Sequence, residues 1–216
     1  MYIIRKSKHV DGGVLIDPPL LMTYLGVVIR YSVRLDFPIA SLDGLDILAG
    51  NIQNAYLNTT TKEKLFSYTS DEWKYGQGRV VVTVWALHTL KSSDLVWRNH
   101  CSDILGNHLG FQSYLANPNI WFKAETDKSG NEYYTYILVY VDDLLIVDKY
   151  PRKYMAILNI KYMMKPSSIG ETKVYLGSDF GKVFYGNGSY TWTMISDMYA
   201  KEDLKNMKKR LNENGT

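Results

Sequence analysis

The chain is poor in the residues that form covalent or metal staples. One cysteine, Cys101, and four histidines stand among 216 residues. A single thiol excludes an internal disulfide, and no Cys/His group has the spacing of a zinc site. An intracellular, reducing setting fits best, with Cys101 as a buried core thiol. Long apolar runs are missing too. None approaches the about 20 residues that cross a bilayer, and the start, Met1-Tyr-Ile-Ile-Arg5, is too short for the apolar centre of a secretory leader. No membrane partner is expected. Charge of one sign is also scarce: a net +3 permits contact with nucleic acid without demanding it. Internal repeats and low-complexity segments are absent. What remains, 46% hydrophobic and 22% charged residues, describes one globular domain or two subdomains.

The most informative stretch present is Tyr136-Ile-Leu-Val-Tyr-Val-Asp142-Asp143-Leu-Leu-Ile-Val147. Two runs of β-favouring residues enclose a single polar pair, which predicts a β-hairpin with both acids at its tip. Adjacent carboxylates on a stiff hairpin suit hard divalent cations, which take oxygen ligands and in polymerases work as a pair on an in-line phosphoryl displacement. An ordinary Asp-Asp turn is the competing reading, because Asp side chains bond local backbone in turns. On the pair alone the turn is favoured. Basic residues gather at Arg5 to His9, Arg152 to Lys165 and Lys201 to Arg210, as patches for phosphates or as solvated helix faces. The 18 tyrosines fall mostly in strand-like runs, where a core role outweighs base stacking.

Along the chain, helix and strand signals alternate, which predicts an α+β fold. Asp11-Gly12-Gly13 and Pro18-Pro19 read as a hairpin remnant and an extended connection. A helix is expected after Ser32, kinked by Pro38 in its second turn. Leu45 to Ala49 reads as a strand, residues 58–78 as a polar loop, and Arg79 to Trp85 as another strand. Trp97, Cys101, Ile104, Leu105 and Leu109 keep helical spacing behind Ser92-Ser93-Asp94, with Gly110 closing the helix. Pro151 suits a helix first turn, and Pro166 is expected to stop that helix. Residues 173–177 and 183–185 read as a hairpin around Gly181, Asn187-Gly188 as a tight turn, and Tyr199, Leu204, Met207 and Leu211 as one face of a last helix.

Several landmarks in order carry a resemblance. They are Asn51-Ile-Gln-Asn-Ala-Tyr-Leu-Asn58, Ala86 to Ser93 through Trp97, Leu109-Gly-Phe111, Asn117-Pro-Asn-Ile-Trp121, the Tyr140-Val-Asp-Asp143 tetrapeptide and Tyr175-Leu-Gly177. Together they cover almost the whole chain, which resembles the reverse transcriptase domain of copia-type long-terminal-repeat retrotransposon polyproteins. The resemblance implies a polymerase palm on an antiparallel sheet with packed helices and a partial fingers subdomain. It divides the chain into a fingers remnant near 1–44, a palm near 45–190 and the start of a connecting or thumb region near 191–216. The implied activity is RNA-directed DNA polymerisation with two magnesium ions, or manganese. Implied partners are an RNA or DNA template with its primer, deoxynucleoside triphosphates, and the integrase and ribonuclease H of the parent polyprotein. The implied setting is a cytoplasmic particle.

Carried over residue by residue, Asp142 and Asp143 match two of the family's three metal-binding carboxylates. The third position, an Asp in the family, is Asn51 here. Asn keeps the shape and loses the charge, so severe loss of catalysis is expected. Asp46 cannot replace it, because five residues along a strand reverse the face and separate the side chains by more than roughly a dozen ångströms. Tyr56 matches the aromatic beneath the incoming sugar, its alternative being a core ring. Lys6 and Lys8 match the fingers cations that grip the triphosphate. Lys91 belongs to a segment beside the nucleotide, where the family's glycine is Thr89 and its aromatic is His88. With Pro38, Trp85, Asn117 and Asn119, these departures describe a decayed copy. The alternative function is an inactive relic that at most binds primer-template.

Overall fold

A computed structural model describes residues 30–69, 78–88, 90–171, 174–175, 178–195 and 197–213. The Asp11-Gly12-Gly13 and Pro18-Pro19 segments, Lys6, Lys8 and Thr89 lie outside the described residues. In chain order the elements are α1 (Arg30–Leu42), β1 (Asp46–Asn51), β2 (Thr60–Tyr68), β3 (Val80–Trp85), α2 (Ser93–Asp103), β4 (Gln112–Tyr114), β5 (Asn117–Thr126), β6 (Glu132–Tyr140), β7 (Asp143–Asp148), α3 (Arg152–Lys161), β8 (Val174–Tyr175), β9 (Ser178–Phe184), β10 (Tyr190–Ile195) and α4 (Asp197–Glu213). No helix among the described residues is long and apolar enough to cross a membrane. The architecture mixes helices with antiparallel sheets. Its described residues fall into two compact units, one over 53–112 and one over 30–52 with 113–213. The chain passes from one unit to the other between Ile52 and Gln53 and again between Gln112 and Ser113.

In the 53–112 unit, β2 and β3 form an antiparallel ribbon that pairs Phe66 with Val82 and Tyr68 with Val80. The polar loop expected over 58–78 is therefore corrected: most of it is β2. Lys62-Glu63-Lys64 hid a strand that β-favouring Thr60, Thr61, Phe66 and Tyr68 support. Behind the ribbon residues, α2 buries Trp97 and Cys101 and passes into a π turn over Ile104–His108. Gly110 then ends the helical path at φ +74°, the left-handed geometry that glycine takes without penalty. Burial pushes the Cys101 thiol up to about 12, so almost none of it is thiolate near neutral pH. Labelling by a thiol reagent is expected to be negligible in the native chain and complete after denaturation. Rapid native labelling would contradict the packing of α2.

The other unit is built on a five-stranded sheet in the order β1-β7-β6-β5-β4, with a three-stranded sheet β10-β9-β8. Leu45, Ile47, Leu138, Leu145 and Val147 are fully buried in its core with Val33, Phe37 and Ala40 of α1. Phe37 stacks on Phe180 at 4.2 Å between ring centroids and meets Trp192 edge-on at 5.9 Å. The helix expected after Ser32 starts at Arg30 and runs through Pro38, which lies exposed in the third turn. Buried Phe37 and Ala40 on either side anchor it against a cost of about 3 kcal/mol for an interior proline.

Two further expectations are corrected. The helix begun at Pro151 stops at Lys161, five residues before Pro166, because Tyr162 turns extended at φ −126° and buries its ring. Gly181 is no hairpin turn: it lies inside β9 opposite Thr193, while β8 pairs with the start of β9, Tyr175 opposite Ser178. The tight turn expected at Asn187-Gly188 joins β9 to β10, with Gly188 at φ +83°.

Candidate functional site

The acidic pair sits where the β6–β7 hairpin reverses. Tyr140 and Asp143 face each other across it, so Val141 and Asp142 alone make the connection. Val141 takes φ +55°. A β-branched residue in the left-handed region is strained, by about 1–3 kcal/mol. Val141→Gly is expected to raise stability by about 1 kcal/mol in urea unfolding. An unchanged midpoint would remove strain from the description of this tip.

Edge strand β1 delivers the third side chain. Its antiparallel register with β7 sets Asn51 opposite Asp143, and the Ile52 N–H donates to the Asp142 carbonyl at 2.7 Å. On its other side β1 is covered by the segment after α3. Ala49 and Gly170 exchange two backbone hydrogen bonds, the Lys165 N–H donates to the Asn51 carbonyl at 2.9 Å, and the Asn51 N–H donates to Ser168 Oγ at 2.8 Å. Such pairing protects an otherwise open sheet edge and fixes Asn51 by its backbone. Gly50 permits the close approach: a Cβ there would lie 2.7 Å from Met164 Cε and 2.8 Å from Met155 Cε and Sδ.

The three side chains meet. Asn51 Nδ2 donates to Asp143 Oδ1 at 2.5 Å and to Asp142 Oδ2 at 3.1 Å. Asn51 Oδ1 is buried without a hydrogen-bond partner, which costs about 1–3 kcal/mol. Reversing the amide would be worse, since it would aim that oxygen at two carboxylates. Burial raises the Asp143 carboxyl above its ordinary range, with the Asp142 charge acting in the same sense; the Asn51 hydrogen bond and Lys165 oppose them. Lys165 Nζ stands 3.7 Å from Asp142 Oδ2, and with both groups partly exposed to solvent the pair contributes at most about 1 kcal/mol. Lys165 was visible in sequence only as part of a basic cluster. Ser168 carried no signal, because it is 117 residues from Asn51.

This donor set does not suit a pair of divalent cations. Hard cations need oxygen ligands, and the group between the two carboxylates presents N–H donors. Among the described residues no three His, Cys, Asp or Glu side chains converge as metal ligands. Asp46 is engaged elsewhere, paired with Lys182 at 2.8 Å.

The other nominated residues belong to the 53–112 unit or lie outside the description. Tyr56 is buried, 7% exposed, and its hydroxyl donates to Asp94. His88 meets the Tyr56 ring edge-on at 4.5 Å. These contacts give Tyr56 the surroundings of an interior ring. Lys91 is half-buried just before α2.

No family model matches the chain. It is similar to a protein of Saccharomyces cerevisiae described as a putative transposon Ty5-1 protein, with 28% identity over 158 residues. The match takes in 70% of this chain and 47% of that protein, so the chain spans less than half the length of its relative. That likeness, along most of the chain, supports a transposon origin.

Proposed function

We propose that the chain is the reverse transcriptase domain of a copia-type retrotransposon, in a copy whose nucleotidyl-transfer site is disabled at Asn51. The observation that carries this reading is the convergence of Asp142 and Asp143, on a strained hairpin tip, with residue 51 at the end of the neighbouring strand. Three positions from two distant segments meet as the palm of an RNA-directed DNA polymerase would require. The transposon relative supports the same origin. An ordinary Asp-Asp turn gives no reason for a third, far residue to face both acids.

Such a polymerase joins the 3′ oxygen of a primer to the α-phosphorus of an incoming deoxynucleoside triphosphate and releases pyrophosphate; carboxylates at residues 51, 142 and 143 would hold the two metal ions that supply charge neutralisation. Here two carboxylates remain, and the third position donates hydrogen bonds where an acceptor is needed. Magnesium is accordingly expected to act only when residue 51 is Asp. What the unaltered chain retains is contact with primer-template through its basic surfaces, among them exposed Lys205, Lys208 and Arg210 of α4. That contact weakens as salt rises.

Primer extension on an RNA template, with magnesium and with manganese, tests the proposal. The unaltered chain is expected to leave the primer unextended, and Asn51→Asp to extend it.

A further inference from the structure

We propose that the Asn51 amide, helped by Lys165, takes the place of the cations: this chain holds its acidic pair together without metal and is closed to it. The inference rests on the polymerase reading for the ancestry of the position, while its geometry stands on the contacts alone. Two carboxylates a few ångströms apart repel unless something positive or proton-donating lies between them. The Asn51 NH2 group has two donors, and the two acids take both, at 2.5 and 3.1 Å. Lys165 adds one positive charge beside Asp142. The backbone of residue 51 is also fixed: its N–H and carbonyl are held by Ser168 and Lys165, and its strand is pinned to Asp142 through Ile52, while its side-chain Oδ1 is buried without a partner. A cation entering between Asp142 and Asp143 has to displace those N–H donors, and rotating the amide brings only one neutral oxygen in exchange.

The test is manganese binding by the full chain, read from loss of the free-ion paramagnetic resonance signal, together with thermal melts in chelator and in manganese. Three chains are compared: unaltered, Asn51→Asp, and Asn51→Asp combined with Asp142→Asn. The unaltered chain is expected to bind no manganese at this site and to melt at one temperature in both conditions. Asn51→Asp crowds three carboxylates, so its midpoint falls by several degrees in chelator and recovers as manganese binds. If it does not fold without metal, recovery of the fold on adding manganese reads the same effect. The double variant restores one amide to two carboxylates and is expected to fold and melt like the unaltered chain, indifferent to metal.

Manganese binding by the unaltered chain, or a melt that metal raises, overturns the inference. So does a folded Asn51→Asp chain that ignores manganese, or a double variant that binds it as tightly as Asn51→Asp. The signal is independent of synthesis. An Asn51→Asp chain that binds manganese and extends no primer therefore defeats the polymerase reading and leaves this inference standing.

Discussion

Asn51→Asp is expected to raise RNA-templated primer extension by at least about 10³-fold, from a rate in the unaltered chain too low to lengthen the primer detectably. Metal ions clamped on a phosphoryl group supply several kcal/mol of transition-state stabilisation, and about 4 kcal/mol corresponds to three factors of ten in rate. The substitution changes one atom's identity and almost no volume, so β1 keeps its register with β7 and residue 51 stays opposite Asp143. What changes is the sign of the interaction. Nδ2, now a donor 2.5 Å from Asp143 and 3.1 Å from Asp142, becomes an oxygen that repels both acids until a cation enters. The same step removes the partnerless amide oxygen, since a carboxylate in that place can rotate to share metal. Trp85 and Thr89, which also depart from the reverse transcriptase pattern that the sequence resembles, are untouched by the substitution, so the full rate of an intact polymerase is not expected.

Phe37→Ala is expected to lower stability by about 3–5 kcal/mol, the range for deleting a buried aromatic ring. In a chain of this size that is a fall of roughly 6–20 °C in melting midpoint. Phe37 is 2% exposed, stacked on Phe180 and edge-on to Trp192, so its ring joins α1 to the β10-β9-β8 sheet in a single cluster with Leu145 and Val147. Truncation leaves a cavity bounded by two large rings that cannot close over it. The same ring offsets Pro38, so α1 is expected to fray first in hydrogen exchange of the variant. A loss under about 1 kcal/mol would show that α1 contributes little to this core.

The hairpin was legible because Val, Ile, Leu and Tyr crowd both sides of one polar pair, a local pattern that needs no partner to be read. The third member of the cluster was legible only through resemblance. Nothing in Asn51-Ile-Gln itself says that the residue will face Asp143, 92 positions away. Strand β2 was lost behind Lys62-Glu63-Lys64, because a ribbon with two solvated edges tolerates charge that a central strand would not. The end of α3 was set by the burial of Tyr162 and by a bridge from Met164 to Ile52, tertiary contacts that stopped the helix before Pro166 could. Ser168 and Lys165 clamp the backbone of Asn51 from the far end of the chain, and no spacing rule reaches that distance. Asp142 and Asp143 were recognisable as residue types; the hydrogen bonds they accept from one amide were visible only once the strands were paired.

The most direct measurement is side-by-side primer extension on an RNA template by the unaltered chain and by Asn51→Asp, in magnesium and in manganese, with Asn51→Asp plus Asp142→Asn as the control. The account predicts an unextended primer for the unaltered chain, extension by Asn51→Asp, and loss of that extension in the control. Synthesis by the unaltered chain would contradict the claim that Asn51 disables the site, and three inert but folded chains would contradict the polymerase reading.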